Sequence, residues 1–136
     1  MKSFKPILSI LTIAIFTFMA VASGDDAEEV ASSEAEFKVT AAEIVDEYES
    51  NEVAAQQKYG DKIVEITGIV DDIGLDIMDD PYITIGSGGD WEVVQVQAML
   101  AEGVDASSVE SGSEITIKGK VSSKMMNILV DGCIIK

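Results

Sequence analysis

The sequence has no histidine and no arginine, and it holds one cysteine, two prolines and one tryptophan in 136 residues. Without histidine, the commonest proton shuttle near neutral pH and the commonest metal ligand are both missing. Neither a Ser-His-Asp nor a Cys-His constellation can be assembled. Cys133 stands alone, so it closes no intrachain disulfide and builds no thiolate zinc site. Positive charge is scarce too: nine lysines face 25 acidic residues, a formal net charge of −16. The length suits one small domain with room for a tail, and excludes two large ones.

What is present begins with Lys2 and Lys5, followed by an apolar run from Pro6 to Ala22 that ends in Ala20-Val21-Ala22. A basic start, an apolar centre and small residues at the end are the parts of a secretory signal, in order. The sequence therefore predicts a signal peptide over residues 1–22, cleaved after Ala22. An uncleaved anchor stays open, because the run is only slightly shorter than the roughly 18 apolar residues of a spanning helix. A lipid anchor would need Cys at the cleavage site, where Ser23 stands. The expected location is thus periplasmic or secreted, with no membrane association after cleavage. Seven lysines would then face 25 acidic residues, a charge of −18. Such a field repels phosphate backbones and anionic headgroups and attracts cations or basic proteins. It also serves plain solubility.

Residues 23–38 combine like charge with few apolar side chains, which predicts an acidic flexible tether. A domain is predicted over residues 39–136. Thr40-Ala-Ala-Glu43 matches a capping box, in which the Thr hydroxyl and the Glu carboxylate satisfy each other's backbone N–H groups. Ala41, Ile44, Val45 and Tyr48 then make one apolar helical face. Asn51 is suited to cap a second helical turn with Val53, Ala54, Ala55 and Tyr59 inward, and Gly60 to end it, so helices are expected within 40–59.

After Gly60 the period changes from helical to alternating, and strands are expected. Lys62–Ile73 puts Val64, Ile66, Gly68 and Val70 on one face, and Gly68 in mid-strand suggests a bulge or bend. An Asp-rich turn leads to Tyr82–Ile85, and Gly86-Ser-Gly-Gly-Asp90 makes the next turn. A third strand is expected from Trp91 or Glu92 to Leu100. A polar loop with one helical turn follows, then strands Glu114–Ser122 and Met126–Ile135. Five short strands, a bent first strand and an insertion between the third and fourth are what a mainly β, five-stranded OB-fold (Greek-key) barrel with an N-terminal helical lead-in requires. The pattern alone leaves other small barrels and sandwiches open.

Several stretches resemble the tRNA anti-like OB-fold family of exported bacterial proteins and lipoproteins: Asn51-Glu-Val-Ala-Ala55, Lys58-Tyr59, Val64-Glu-Ile-Thr-Gly68-Ile-Val70, Pro81-Tyr82-Ile-Thr-Ile85, Val96-Gln97, Ile117-Lys-Gly119-Lys120 and Leu129-Val-Asp-Gly-Cys133. The resemblance covers about residues 39–136 and implies fold and export more than activity. Members often carry a Cys in the third strand, where Ala98 stands here, which implies an unpaired, buried Cys133. The family name implies oligonucleotide binding. An OB domain that grips nucleic acid, however, uses a basic groove lined with stacking aromatics, and this chain's charge argues against that partner.

OB-folds usually take ligands on the second and third strands, which selects Tyr82, Thr84, Trp91, Gln95 and Gln97, with Trp91 equally suited to covering the barrel's end. Lys118, Lys120 and Lys124, the only basic cluster of the expected domain, could pair with a carboxylate or phosphate, or discourage edge pairing as outward strand lysines do. Asp71, Asp72, Asp76, Asp79 and Asp80 offer hard oxygen donors, but their spacing is not that of an EF-hand loop. Met125 and Met126, being adjacent, would point to opposite faces of a strand. Gly86-Ser-Gly-Gly89 lacks the Lys of a phosphate-binding loop. The function expected is that of an exported, non-enzymatic binding protein for a small ligand, peptide or protein of the cell envelope, with no cofactor and no metal. Oligonucleotide binding and a carboxylate cation sensor are the alternatives, and carboxylate-only catalysis, as in glycosidases, is left open by the acidic residues.

Overall fold

The computed structural model describes residues 25–136. The expected signal peptide lies outside them. Among the described residues, no helix is long and apolar enough to cross a membrane. The chain runs through helix α1 (Asp25–Ser32), strand β1 (Phe37–Thr40), helices α2 (Ala41–Ser50) and α3 (Glu52–Tyr59), and strands β2 (Ile63–Leu75), β3 (Pro81–Gly86), β4 (Val96–Leu100), β5 (Glu114–Lys124) and β6 (Ile128–Ile135).

The two helix starts follow from local hydrogen bonding. The Thr40 hydroxyl accepts from the Glu43 N–H at 3.2 Å, and the Glu43 carboxylate accepts from the Thr40 N–H at 3.3 Å. Asn51 Oδ1 accepts from the Ala54 N–H at 3.1 Å and starts α3. These bonds satisfy donors that the first helical turn leaves unpaired. Ala41, Ile44, Tyr48, Ala55 and Tyr59 are buried, as the helical spacing predicts. Val53 and Ala54 depart from it, both exposed and Val53 by 68 %, because α3 turns its Ala55–Tyr59 edge, and not its first turn, toward the barrel.

Five strands close in the order β2-β3-β4-β6-β5 and back to β2, with β4 and β6 parallel and the other pairs antiparallel. This is the OB-fold topology. The first half of β2 pairs with β5, from Ile63 opposite Lys120 to Ile69 opposite Glu114, and the second half pairs with β3 up to Leu75 opposite Pro81. One long strand thus serves two sides of the barrel. The register shift falls between Val70 and Asp72, not at Gly68. Gly68 serves close approach: a Cβ there would lie 2.8 Å from the Ala41 Cβ and 2.9 Å from the Gly86 carbonyl oxygen. The glycine seats α2 against the barrel wall. Inside, Ile66, Ile83, Ile85, Ile117, Val121, Ile128 and Cys133 meet Ile44, Tyr48 and Tyr59 from the helices.

Where an acidic flexible tether was expected over residues 23–38, the structure has α1 and β1. β1 runs parallel to β2, with Phe37 opposite Val64, and the Phe37 ring meets Tyr59 edge-on at 5.0 Å. The tyrosine hydroxyl donates to the Glu47 carboxylate, which also accepts from Lys58 at 2.6 Å. α1 lies against β5 and β6 and buries Val30 to 4 % exposure. One buried valine contributes about 1.5–3 kcal/mol, which explains why composition alone reads this stretch as unstructured. Two other expectations shift: the third strand starts at Val96, and the connection from Glu102 to Ser113 is built of turns without a helix.

Candidate functional site

On the outer face of β3 and β4, Tyr82 stands opposite Met99 and Thr84 opposite Gln97, so the alternation read from sequence brings these side chains together. Their neighbours decide what the face can do. The Tyr82 hydroxyl donates to Asp72 Oδ2 at 3.3 Å, and its ring covers Gly74, where a Cβ would lie 2.9 Å from the phenol oxygen. The Asp72 charge is the main cause that pushes the Tyr82 phenol above its ordinary value, with a smaller push from Asp76. Thr84 is 7 % exposed, and its hydroxyl accepts from the Asp72 N–H at 3.0 Å. Thr84 therefore fixes the bulged backbone of β2. Gln97 accepts from Asn127 Nδ2 at 3.3 Å. Gln95 sits just before β4, where its N–H donates to Asn127 Oδ1 at 3.1 Å. The face is polar and leans anionic at its Asp72 end.

Trp91, Lys118 and Lys120 do not join it. Trp91 lies in the turn between β3 and β4 and is 93 % exposed, so it neither covers the barrel's end nor stands on the strand face. Early entry into β4 would have placed it there, but the glycine-rich turn extends to Gln95. Lys118 and Lys120 project from β5, beyond β6. Lys118 Nζ donates to the Ala31 carbonyl at 3.5 Å, and Lys120 pairs with Glu29 at 3.9 Å. The chain's own acidic helix covers the strip that sequence offered as an anion site.

Of the five other lysines among the described residues, four are engaged in the same way, and Lys124 forms no ion pair with a described carboxylate. Lys38 and Lys136 pair with Glu65, Lys58 with Glu47 and Lys62 with Glu36. Lys38, Lys136, Glu43, Glu65, Thr67 and Thr116 line a shallow hollow of about 500 Å³. The two threonine hydroxyls bond each other at 2.7 Å. The hydrogen bond from Lys136 is the main cause that holds the Glu65 carboxyl below its ordinary value. Sequence reasoning missed this hollow because β1 makes one wall of it, and the signal was the alternation Phe37-Lys-Val39-Thr in a segment taken for a tether.

No group of three or more His, Cys, Asp or Glu side chains among the described residues is placed to hold a metal ion. In the Asp-rich turn, Asp76 Oδ1 instead accepts from the N–H groups of Met78 at 2.8 Å and Asp80 at 3.0 Å. Cys133 is fully buried, and burial first, then the Asp131 charge, push its thiol up. Opposite it in β4 stands Leu100, while Ala98 faces Val130.

A closed five-stranded barrel with helices leading into it defines an OB-fold domain. The tRNA_anti-like family model matches residues 1–134, and the chain belongs to that family. The crystal structure of a proposed nucleic acid-binding lipoprotein from Klebsiella pneumoniae subsp. pneumoniae is similar, with a TM-score of 0.57 and 18 % identity over 80 % of this chain and 96 % of that one. The likeness is one of fold. No curated protein matches the chain.

Proposed function

We propose that this chain is an exported, non-enzymatic OB-fold binding domain that engages a small ligand, peptide or protein, and not nucleic acid. The observation that carries the reading is the placement of positive charge. Five of the seven lysines beyond residue 22 pair with the chain's own carboxylates, and Lys118 points into α1. Binding a phosphate backbone depends on free cations that release its counterions. Here a backbone would have to displace existing partners against a net charge of −16. The β3–β4 face adds Tyr82 beside Asp72 and, among the described residues, no lysine. Export is supported by Lys2, Lys5, the apolar run and Ala20-Val21-Ala22. A non-enzymatic role is supported by the absence of histidine and the burial of the one thiol.

The second reading is oligonucleotide binding, favoured by the family name and by the description of the Klebsiella neighbour. Titrating labelled single-stranded DNA and RNA with the protein at low salt, read by fluorescence anisotropy, separates the two. The proposal expects no saturation. Saturable binding that weakens steeply as salt rises establishes the second reading and removes the first. Mass analysis of the protein from fractionated cells tests export: a chain starting at Ser23 is expected outside the cytoplasm, and an intact Met1 form confined to the cytoplasm overturns it.

A further inference from the structure

Trp91 is 93 % exposed and Val93 is 82 % exposed, both in the turn between β3 and β4. Large apolar side chains standing together in water mark interaction surfaces. These two are not isolated. With Val45 on α2 they line a cleft of about 290 Å³ whose other members include Asp46, Glu49 and Glu92. Asp46 and Glu49 are three positions apart on α2, hence neighbours on one helical face, and neither forms an ion pair with a lysine among the described residues. Glu92 is held differently, accepting from the Ser87 N–H at 2.8 Å, and so ties the turn that presents Trp91.

The volume sits at the floor of the range for small-molecule sites. It admits one or two side chains, not a cofactor. An apolar wall, an indole ring open to solvent and an acidic rim without a lysine are complementary to a group with an apolar body and a positive end. A tryptophan face also attracts ammonium or guanidinium groups better than other aromatic rings do.

We infer that the cleft between α2 and the β3–β4 turn docks a cationic, apolar polypeptide segment of a partner protein, with a Lys or Arg of the segment held between Trp91 and the Asp46–Glu49 rim and an adjoining apolar side chain seated on Val45 and Val93. The inference rests on the reading of the chain as a binding domain that avoids nucleic acid, and it gives that domain a partner class and a place to bind.

The chain's one tryptophan is Trp91, so its emission reports this cleft alone. The test titrates the full chain with the amidated hexapeptide Lys-Leu-Lys-Leu-Lys-Leu, with Glu-Leu and Lys-Ser repeats of equal length as controls. Expected are a saturable blue shift with the Lys-Leu peptide, at least tenfold weaker responses to both controls, and weakening as salt rises. The double variant Asp46→Asn/Glu49→Gln, whose changes lie on an exposed helix face, should bind the Lys-Leu peptide about tenfold more weakly. Trp91→Ala, read by anisotropy of labelled peptide, should lose at least tenfold. No shift with the Lys-Leu peptide, an equal response to the Glu-Leu peptide, or unchanged affinity in the double variant overturns the inference. The oligonucleotide titration fails independently: nucleic-acid binding sinks the parent reading, whereas a silent Trp91 with no nucleic-acid binding sinks only the docking site.

Discussion

A single methyl group at Gly68 should loosen both the barrel and the cleft. The new Cβ would meet the Ala41 Cβ at 2.8 Å and the Gly86 carbonyl oxygen at 2.9 Å, where carbon contacts settle near 3.5–4.0 Å. Relief requires α2 to withdraw by about 1 Å. Neither neighbour is free to move: Ala41 opens a helix held by the Thr40–Glu43 box, and Gly86 is in register with Ile69 in the β2–β3 ladder. Overpacking of this kind costs about 1–3 kcal/mol. A loss of about 2 kcal/mol lowers Tm by about 8 °C in a domain of this size. Urea and thermal unfolding followed by circular dichroism measure it. Gly68→Ala combined with Ala41→Gly should recover only part of the loss, because the contact with the Gly86 oxygen remains. α2 also carries Val45, Asp46 and Glu49, so peptide affinity at Trp91 should fall with stability. Wild-type midpoints in Gly68→Ala would refute the seating of α2 on the barrel.

Three further outcomes are expected. Glu65 is held ionised below the usual carboxylate range by Lys136, so its contribution is complete above the unfolded value and disappears as pH falls through the lowered folded one; urea midpoints of wild type and Glu65→Gln should differ at neutral pH and converge in acid, and a pH-independent gap would contradict this. Cys133 should resist thiol reagents in the folded protein and react once urea unfolds it, because burial keeps it protonated; stoichiometric labelling of the native protein near neutral pH would contradict that. Val30→Asp should release α1 and speed proteolysis ahead of Phe37, leaving a protease-resistant barrel, whereas unchanged digestion would show that α1 is not held by its valine.

The parts of the fold that sequence reveals are those set by near neighbours. Thr40 with Glu43, and Asn51 with Ala54, specify helix starts through bonds three residues long. The alternation of Val64, Ile66, Gly68 and Val70 fixes the inward face of β2, and the observed burial follows it. What stays hidden depends on partners far along the chain. β1 is four residues paired in parallel with β2, and no local pattern announces a parallel neighbour. The covering of Lys118 and Lys120 needs the position of α1, nearly ninety residues earlier. For the candidate site, Tyr82, Thr84 and Gln97 were legible because they alternate along true strands. Trp91 was misplaced because a turn, which has no period, carries it to α2.

The position of β6 has a kinetic consequence. It separates β4 from β5 and follows both in the chain, so the cylinder has a gap until that last segment inserts. Stepwise accretion of hairpins during synthesis cannot complete it. Closure must instead come as one late event that joins distant stretches, and such joining is slow because loop entropy is lost before the contacts repay it. Until that insertion, a nascent chain of this design carries open backbone edges on β4 and β5.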